Sequence, residues 1–519
     1  MTTPIHHPRE GISNEIRDWI ARVEPRALRT YTPTQAVLAR SAGIFHWTPE
    51  GRRLFDFSSG VLVANLGHNP SSWMKRFVDY MGWTGSPWTE IVVSGQSPVA
   101  SEKQEGPGPP AAGRWPLATF FSGPPLTAYN AITVLESEAS RRLSGLLQSR
   151  PGGKRLEQVL WSASGSEAIQ KALWAALARD RSRDMIIATR YGFHGKKGLA
   201  GAVTGCETDH DRDPRVRFIS FPMKECADVS QRGQAFDPAS YCLELEALRH
   251  RFGRRLNVLI TEPYLGGGGS YHPPKAYLQM LQAFCRDLDI VFILDEVQSN
   301  FGRTGALFAF ETYGQEPDIV VLGKGLGNGV PVAAAVGSAK LLNTLDYGEG
   351  SDTWSANPLC CAAVLATLDE FALCDVLGLA TVEAFVVRDV LGPCRRASTI
   401  IEEGLVRLKE LPIVANVRGE KGGMVWGLEM ADHAGRSAAD WANAAVLACY
   451  KGDGGDGIHL LGPLAKKVIR IAPPLIITEA EARTSMDLMF RLLASIAGQD
   501  SKSIRESGQP IFPEKVVTP

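Results

Sequence analysis

The sequence predicts an α/β fold: a mostly parallel central sheet flanked by helices, with a smaller α+β domain built from the N- and C-terminal segments. Two observations carry this. Between residues 150 and 340, short apolar, β-branched runs alternate with helical stretches, the pattern of a parallel-rich sheet with helices on both faces. After residue 345 the chain turns first helical and then strand-like. With 519 residues it is also too long for one ordinary core. The expected boundaries are 1–80 for an N-terminal segment joining the small domain, 81–345 for the large domain and 346–519 for the C-terminal small domain.

In chain order, residues 10–80 read as a helix followed by short strands, with GIFHWTPEGRRLFDFSSG as a hairpin turning at Pro49-Glu50-Gly51. Residues 84–116 contain GSP, GQSP and EGPGPPAAG. This Pro/Gly-rich stretch without periodicity is expected to be a long loop or insertion. Strands are predicted at 158–162, 185–189, 216–220, 258–261, 291–294, 319–322 and 332–336, with helices such as 166–178 and 274–288 between them. The last part is expected to hold helices at 358–371 and 398–409 and strands at 423–429 and 468–471. No internal repeat is visible, and the polar tail from Gly498 is expected at the surface.

A formal net charge of −1 gives no global field that favours nucleic acid or an anionic membrane, so neither partner is expected. No apolar run approaches the roughly 18 residues needed to span a bilayer, and the opening MTTPIHHPREGISNE has no hydrophobic signal core. Nine scattered cysteines without CxxC spacing fit reduced thiols and a cytoplasmic protein, and adjacent Cys360 and Cys361 suit helix packing better than a disulfide. No metal site is expected; His6 and His7 read as a frayed terminus.

In open α/β sheets, ligands bind beyond the carboxyl ends of the strands. The residues that follow the predicted strands are Ser164-Gly165-Ser166-Glu167, Tyr191-Gly192-Phe193-His194-Gly195, Glu262-Pro263, Asp295-Glu296-Val297-Gln298 and Gly323-Lys324-Gly325. A helix-opening loop, an aromatic, carboxylates and a lysine would thus converge on one edge. Each has a job if the ligand is pyridoxal phosphate (PLP). The N–H groups of Gly165 and Ser166 and the Ser166 hydroxyl can hold a phosphate at the positive end of a helix, although alone they are a plain N-cap. Asp295 ends a strongly apolar strand, and a buried carboxylate needs a cationic or donor partner. The protonated pyridine nitrogen of PLP is one such partner; local backbone is the alternative. Lys324 can form a Schiff base with the PLP aldehyde and then shuttle a proton, whereas by itself it reads as an exposed loop lysine. GKGLGNG matches neither GxxxxGK[ST] nor GxGxxG, which sets a nucleotide loop aside.

Together these residues carry a resemblance. LDEVQSNFGRTG followed by GKGLGNGVPVAAAVG resembles the signature of the class III aminotransferases, including the 29-residue interval from Asp295 to Lys324. SASGSEA, TEPYLGGGG, DTWSANPL, VIRIAPPLIIT and the N-terminal glycine-rich segment resemble further blocks, from about Gly43 to Thr478. The resemblance implies a fold type I PLP transferase that moves an amino group from an amino acid or amine to a keto acid. Same-fold aminomutases, racemases and decarboxylases stay open, as does a PLP-fold protein that only binds ligand. It further implies Lys324 and Asp295 as catalytic groups. The cofactor would be held by Gly165, Ser166, Phe193, His194, Glu262, Asp295, Gln298, Lys324 and Thr353, and Arg470 would bind a substrate carboxylate. Thr353 matches a residue that acts across a subunit boundary, which implies a homodimer or higher oligomer with shared sites.

Three positions depart from the pattern. Asn300 replaces a usual glycine without removing a catalytic group. Val61 stands where dialkylglycine decarboxylase has a glutamine used for decarboxylation, which argues against that activity. Gly267 stands where ornithine and 4-aminobutyrate aminotransferases carry a glutamate that masks the carboxylate-binding arginine, which argues against both substrates. Residues 84–116 and about the last twenty lie outside the resemblance.

Overall fold

A computed structural model of the chain describes residues 4–83, 90–91, 120–121, 123–129, 131–209, 212–373, 386–387 and 389–498. Among them, seven strands form one sheet in the order Gln158–Ser162, Ala333–Gly337, Ile319–Leu322, Val291–Asp295, Leu256–Thr261, Met185–Thr189, Val216–Ile219. Ala333–Gly337 runs antiparallel to both its neighbours, and the other adjacent pairs are parallel.

Alternate residues of a strand face opposite sides, and here both sides are dry. Ile186, Ala188, Val258, Ile260, Ile293 and Val321 pack with Ala168, Ile169 and Ala172 of helix Gly165–Arg179. Ile187, Leu259, Phe292, Leu294 and Leu322 belong to the larger core, with Tyr277, Leu278 and Leu281 of helix Lys275–Asp287. A strand buried on both faces has no polar alternation, which is why VFILD and IVVL read as continuous apolar runs. Each fully buried aliphatic or aromatic side chain contributes about 1.5–3 kcal/mol. A charge within these runs is therefore excluded, and charged groups appear only where the strands end.

The two ends of the chain meet in a second region. Arg40–Ala42, Phe45–Trp47 and Arg53–Asp56 form an antiparallel meander, and Gly457–His459 adds to it in parallel. The predicted hairpin closes with Gly51 in a left-handed conformation (φ 84°) and its N–H donating to Thr48 O at 2.9 Å. A three-stranded antiparallel sheet, Val414–Gly419, Trp426–Met430 and Val468–Ile471, lies in the C-terminal part. The first helix, Gly11–Val23, is tied to this part through buried Glu10, which pairs with Arg17 at 2.6 Å and Arg52 at 2.7 Å and accepts from Tyr450 Oη at 3.0 Å. Removing one partner of such a buried set costs about 3–5 kcal/mol.

Some boundaries differ from the expected ones. The helix expected at 398–409 begins earlier, as Leu391–Arg407, because Pro393 sits in its first turn, where the missing N–H has no helical partner to lose. The strand expected from 423 starts at Trp426, since Gly423 is still in a turn, donating to Glu420 O at 3.0 Å. Within the expected insertion, Glu90–Ile91 pairs with Phe120–Phe121; the rest of 84–116 and residues 499–519 lie outside the described residues. No helix among the described residues is long and apolar enough to cross a membrane.

Candidate active site

Six of the seven strands of the large sheet end on one edge, and the antiparallel strand begins there. The edge holds a cleft of about 390 Å³ lined by Ser164, Gly165, Ser166, Phe193, His194, Asp295, Gln298, Lys324 and the Val330-Pro331-Val332 run that leads into Ala333–Gly337. Val63, from the N-terminal segment, closes one wall. The wider hollow of about 460 Å³ lies near Asp184, at the amino end of strand Met185–Thr189. Most of its charged residues pair locally, Arg215 with Asp213 at 2.7 Å, Asp184 with Arg255 at 2.8 Å and Arg183 with Asp289 at 3.4 Å, and no lysine or histidine lines it.

Helix Gly165–Arg179 starts at this edge because Ser164 caps it. The Ser164 hydroxyl accepts from Glu167 N at 3.3 Å, and the Glu167 carboxylate accepts from Ser164 N at 3.1 Å. The cap leaves the Gly165–Ser166 turn facing the cleft. Gly195 passes so close that a Cβ there would lie 2.6 Å from Ser166 Oγ, and its φ of 150° suits only glycine. Phe193 lines the cleft and stays exposed, its N–H donating to Glu262 Oε2 at 2.9 Å. The next residue, His194, is buried; its backbone N–H is held by Thr204 Oγ1 at 2.8 Å, and its Nδ1–H donates to Asp295 Oδ2 at 2.7 Å. Asp295 Oδ1 accepts from Val297 N at 3.0 Å.

Glu262 accepts at Oε1 from Gly266 N and from the Gln298 amide, both at 3.2 Å. Burial raises its pKa to about 7, against the opposing pull of His194. A Cβ on Gly266 would fall 2.5 Å from Gln298 Oε1, so a side chain there would displace the Gln298 amide. Lys324 follows the extended Gly323 and opens a short 3-10 turn with φ of 48°, a left-handed conformation that costs a non-glycine residue about 1–2 kcal/mol. It is half-buried. Burial lowers its amine to about 7, and Arg470 nearby pushes the same way. Arg470 lies in strand Val468–Ile471, almost fully buried. Its Nη2 donates to Gly266 O at 3.0 Å, while Nε has no partner. Burial lowers its pKa.

Nine of the ten sequence-derived site residues thus gather around this cleft or behind its walls. Thr353 does not: it is exposed and outside the cleft lining, with its carbonyl accepting from Thr127 Oγ1 at 3.4 Å. Sequence reasoning missed Thr204, Val63, Tyr264 and the linking role of Asn300. Tyr264 is buried, with its hydroxyl donating to Gln298 O at 3.3 Å. Asn300 Nδ2 donates to Glu296 O at 2.6 Å and Gly323 O at 3.1 Å, tying the segment after Asp295 to the residue before Lys324. Only Tyr264 had a usable signal, its place directly after Glu262-Pro263.

The donor set fits PLP. Buried His194 Nε2 and Gln298 Oε1 have no partner. A helix start can take a phosphate, a carboxylate can face a ring nitrogen, an aromatic can cover a ring, and an amine near neutrality can take up an aldehyde.

Comparison with known proteins supports the same chemistry. Residues 126–493 match the family model described as aminotransferase class-III. An acetylornithine aminotransferase of Oceanobacillus iheyensis is 23% identical over 484 residues, covering 92% of this chain and 98% of that protein. One from Corynebacterium efficiens is 30% identical over 323 residues, covering 62% and 68%. Among solved structures, the ornithine aminotransferase of Toxoplasma gondii ME49 superposes with a TM-score of 0.70 at 20% identity, covering 96% of this chain and 100% of that one. A PLP-bound amine transaminase from an uncultivated Pseudomonas species gives 0.68 at 21%, covering 95% and 99%.

Proposed function

The chain belongs to the class III aminotransferases and is a PLP-dependent transaminase, and on that premise we propose that the cleft at the Lys324 edge is its active site. The observation that carries the assignment is the convergence of Lys324, the His194–Asp295 pair and the Gly165–Ser166 turn on one cavity. When bound, PLP supplies an aldehyde that takes up the donor amine and a ring that draws electrons from the adjacent carbon. Gly165 and Ser166 would hold the phosphate, Phe193 would cover the ring, Asp295 would face the ring nitrogen and Gln298 the phenolic oxygen. Glu262 supports Gln298 and Phe193. Lys324 is the cofactor-bearing residue and the base: an amine lowered to about 7 is partly unprotonated at neutral pH, so it can accept the proton of the donor carbon and return it.

Arg470 is the substrate-binding group. Its guanidinium forms no ion pair with a carboxylate among the described residues, and Gly267 has no side chain to mask it. Donor and acceptor therefore both bring a carboxylate to it. Acetylornithine, named for the relatives, carries such a carboxylate and is the first donor to test. The test is a screen of amine donors with pyruvate and 2-oxoglutarate. Amine transfer with stoichiometric keto-acid consumption is expected, whereas turnover without keto acid would favour an aminomutase, racemase or decarboxylase.

The protein is further assigned as a cytoplasmic homodimer with large and small domains divided at 80 and 345. Unpaired described cysteines support the location, and exposed Thr353, Trp354 and Tyr347 support a partner subunit on that face. The pairing of Gly457–His459 with Arg53–Asp56 supports a small domain built from both chain ends.

A further inference from the structure

Where the N-terminal meander meets the C-terminal strand Gly457–His459, His46, Asp56 and His68 bring two imidazole nitrogens and a carboxylate oxygen within 4.8 Å of one another. The transamination chemistry uses none of them. His46 projects from strand Phe45–Trp47, Asp56 ends Arg53–Asp56, and His68 is fixed by a bridge whose N–H groups exchange with Gly43 at 2.8 and 2.9 Å. His46 and Asp56 are 2% and 0% exposed, so an unmet polar atom on either carries a full desolvation penalty.

Such an atom is present. His46 Nε2 is buried without a hydrogen-bond partner, 3.5 Å from Asp56 Oδ2. Its other nitrogen, Nδ1, is held by Ser41 Oγ at 2.6 Å. Asp56 Oδ1 accepts three donors, Ser58 N at 2.8 Å, Ser58 Oγ at 2.7 Å and Ser59 N at 3.0 Å, which leaves Oδ2 turned to the histidines. His68 Nε2 lies 2.7 Å from that oxygen. Ligand orientation by outer hydrogen bonds of this kind, on the far nitrogen of an imidazole and the far oxygen of a carboxylate, is characteristic of metal centres. Zinc–nitrogen bonds of about 2.0–2.1 Å place neighbouring ligands of a tetrahedral ion about 3.3 Å apart. The His46–Asp56 separation of 3.5 Å already has that spacing, and His68 Nε2, at 2.7 Å, must draw back from Asp56 Oδ2 by about 0.6 Å to match it. His459 packs edge-on against His46, with ring centroids 5.4 Å apart, and its buried Nδ1 has no partner.

We propose that His46 Nε2, His68 Nε2 and Asp56 Oδ2 form a site for one divalent transition-metal cation, zinc by donor set, with His459 packed against His46. Two imidazoles and one carboxylate are borderline donors that suit zinc and disfavour magnesium or calcium. The ion ties strands Phe45–Trp47 and Arg53–Asp56 to the loop that carries His68, next to the C-terminal strand. It also stiffens the segment after Asp56, where Ser59 Oγ donates to Ala472 O at 2.7 Å, two residues beyond Arg470. The role is structural, outside the reacting groups.

The experiment uses full-length, PLP-loaded, untagged protein stripped by chelator, with zinc alone as the added ion and a chromophoric chelator as competitor. One zinc per chain is expected, with a melting temperature that rises on zinc addition. His46→Gln and His68→Gln should lose stoichiometric binding and the thermal response. Ser41→Ala, which keeps all the ligands, should weaken zinc by roughly 10–100-fold. Replacing His6 and His7 with alanine should leave binding unchanged. Wild-type protein that holds well under one zinc per chain would overturn the site and leave a metal-free ion-pair cluster. So would a His46→Gln variant that binds zinc as tightly as wild type.

Discussion

His194 Nδ1 lies 2.7 Å from Asp295 Oδ2, and both side chains are buried at the mouth of the strand that ends in Asp295. The hydrogen bond fixes the carboxylate's rotation while each oxygen keeps a lone pair for a further donor. The pair reaches across 101 residues of sequence, from the loop after one strand to the end of another two places away in the sheet. That span is what makes the carboxylate a fixed charge under the cleft.

Asp295→Asn removes the charge but keeps the shape. It is expected to fold normally by circular dichroism and to lose roughly 100–1000-fold in kcat/KM, the scale for one preorganised electrostatic group. His194→Ala removes the charge-assisted hydrogen bond alone, worth about 1.5–3 kcal/mol, or roughly ten- to a hundred-fold. Near-wild-type turnover by Asp295→Asn contradicts the assigned role.

The lowered amine of Lys324 gives a pH dependence of defined sign. Its pKa falls from 10.5 to about 7, chiefly through burial, so the protonated form is the disfavoured one in the folded protein. Covalent attachment needs the neutral amine. The rate at which apoprotein takes up PLP, followed by visible absorbance, should rise as pH passes upward through about 7 and level off above 8. A rate still climbing steeply between pH 9 and 10 would indicate an ordinary lysine. For stability, the folded apoprotein binds fewer protons at this position than the unfolded chain between about 7 and 10.5. Lys324 therefore adds to stability as pH rises through that window, and its contribution is least favourable below it.

Much of this was legible in sequence because the large sheet is buried on both faces. Apolar runs such as VFILD mark such strands, and the residue after each run had to sit at the ligand-binding edge. Asp295, Lys324 and Glu262 were found that way. The two glycine-flanked boundaries were not: Pro393 hides inside a helix start, and Gly423 reads as strand until its turn is seen. The contacts of Asn300 and Thr204 were invisible for another reason. A side-chain amide or hydroxyl that serves a backbone group brought in by the fold leaves no periodic trace. The His46–Asp56–His68 cluster is of the same kind, assembled by a meander from positions 10 and 12 residues apart.

The proposed substrate role of Arg470 makes a kinetic prediction. Arg470→Ala should raise KM for both amino-acid donor and keto acid, by roughly ten- to a hundred-fold for a charge-assisted contact of about 1.5–3 kcal/mol. Gly267→Glu places an acid where none exists, although its Cβ must settle 3.2 Å from Phe193 Cβ. That variant should tolerate carboxylate-free amines better than wild type does. Steady-state kinetics with alanine, acetylornithine, 4-aminobutyrate, ornithine and 1-phenylethylamine decide it. If 1-phenylethylamine were by far the best donor of the wild type, and Arg470→Ala left amino-acid use unchanged, the role would fail.

Thr353 lies exposed and outside the cleft lining of its own chain. If it completes the phosphate site of a partner subunit, mixing inactive Lys324→Ala with impaired Thr353→Ala should regenerate active sites in heterodimers. About a quarter of the sites at equal mixing would then combine an intact lysine with an intact threonine, the random-pairing limit for closed two-fold dimers. Sedimentation should show a dimer at the same concentrations. A fully active monomer contradicts the shared site.

The central claim is that Lys324 carries the cofactor, and borohydride reduction of the PLP-loaded protein followed by peptide mapping tests it directly. The label should fall on the peptide containing Lys324 and vanish in Lys324→Ala. The buried Lys171, 2.7 Å from Asp352, is a competing amine in the fold and should stay unmodified. A label on Lys171, or on any lysine other than Lys324, would contradict the account.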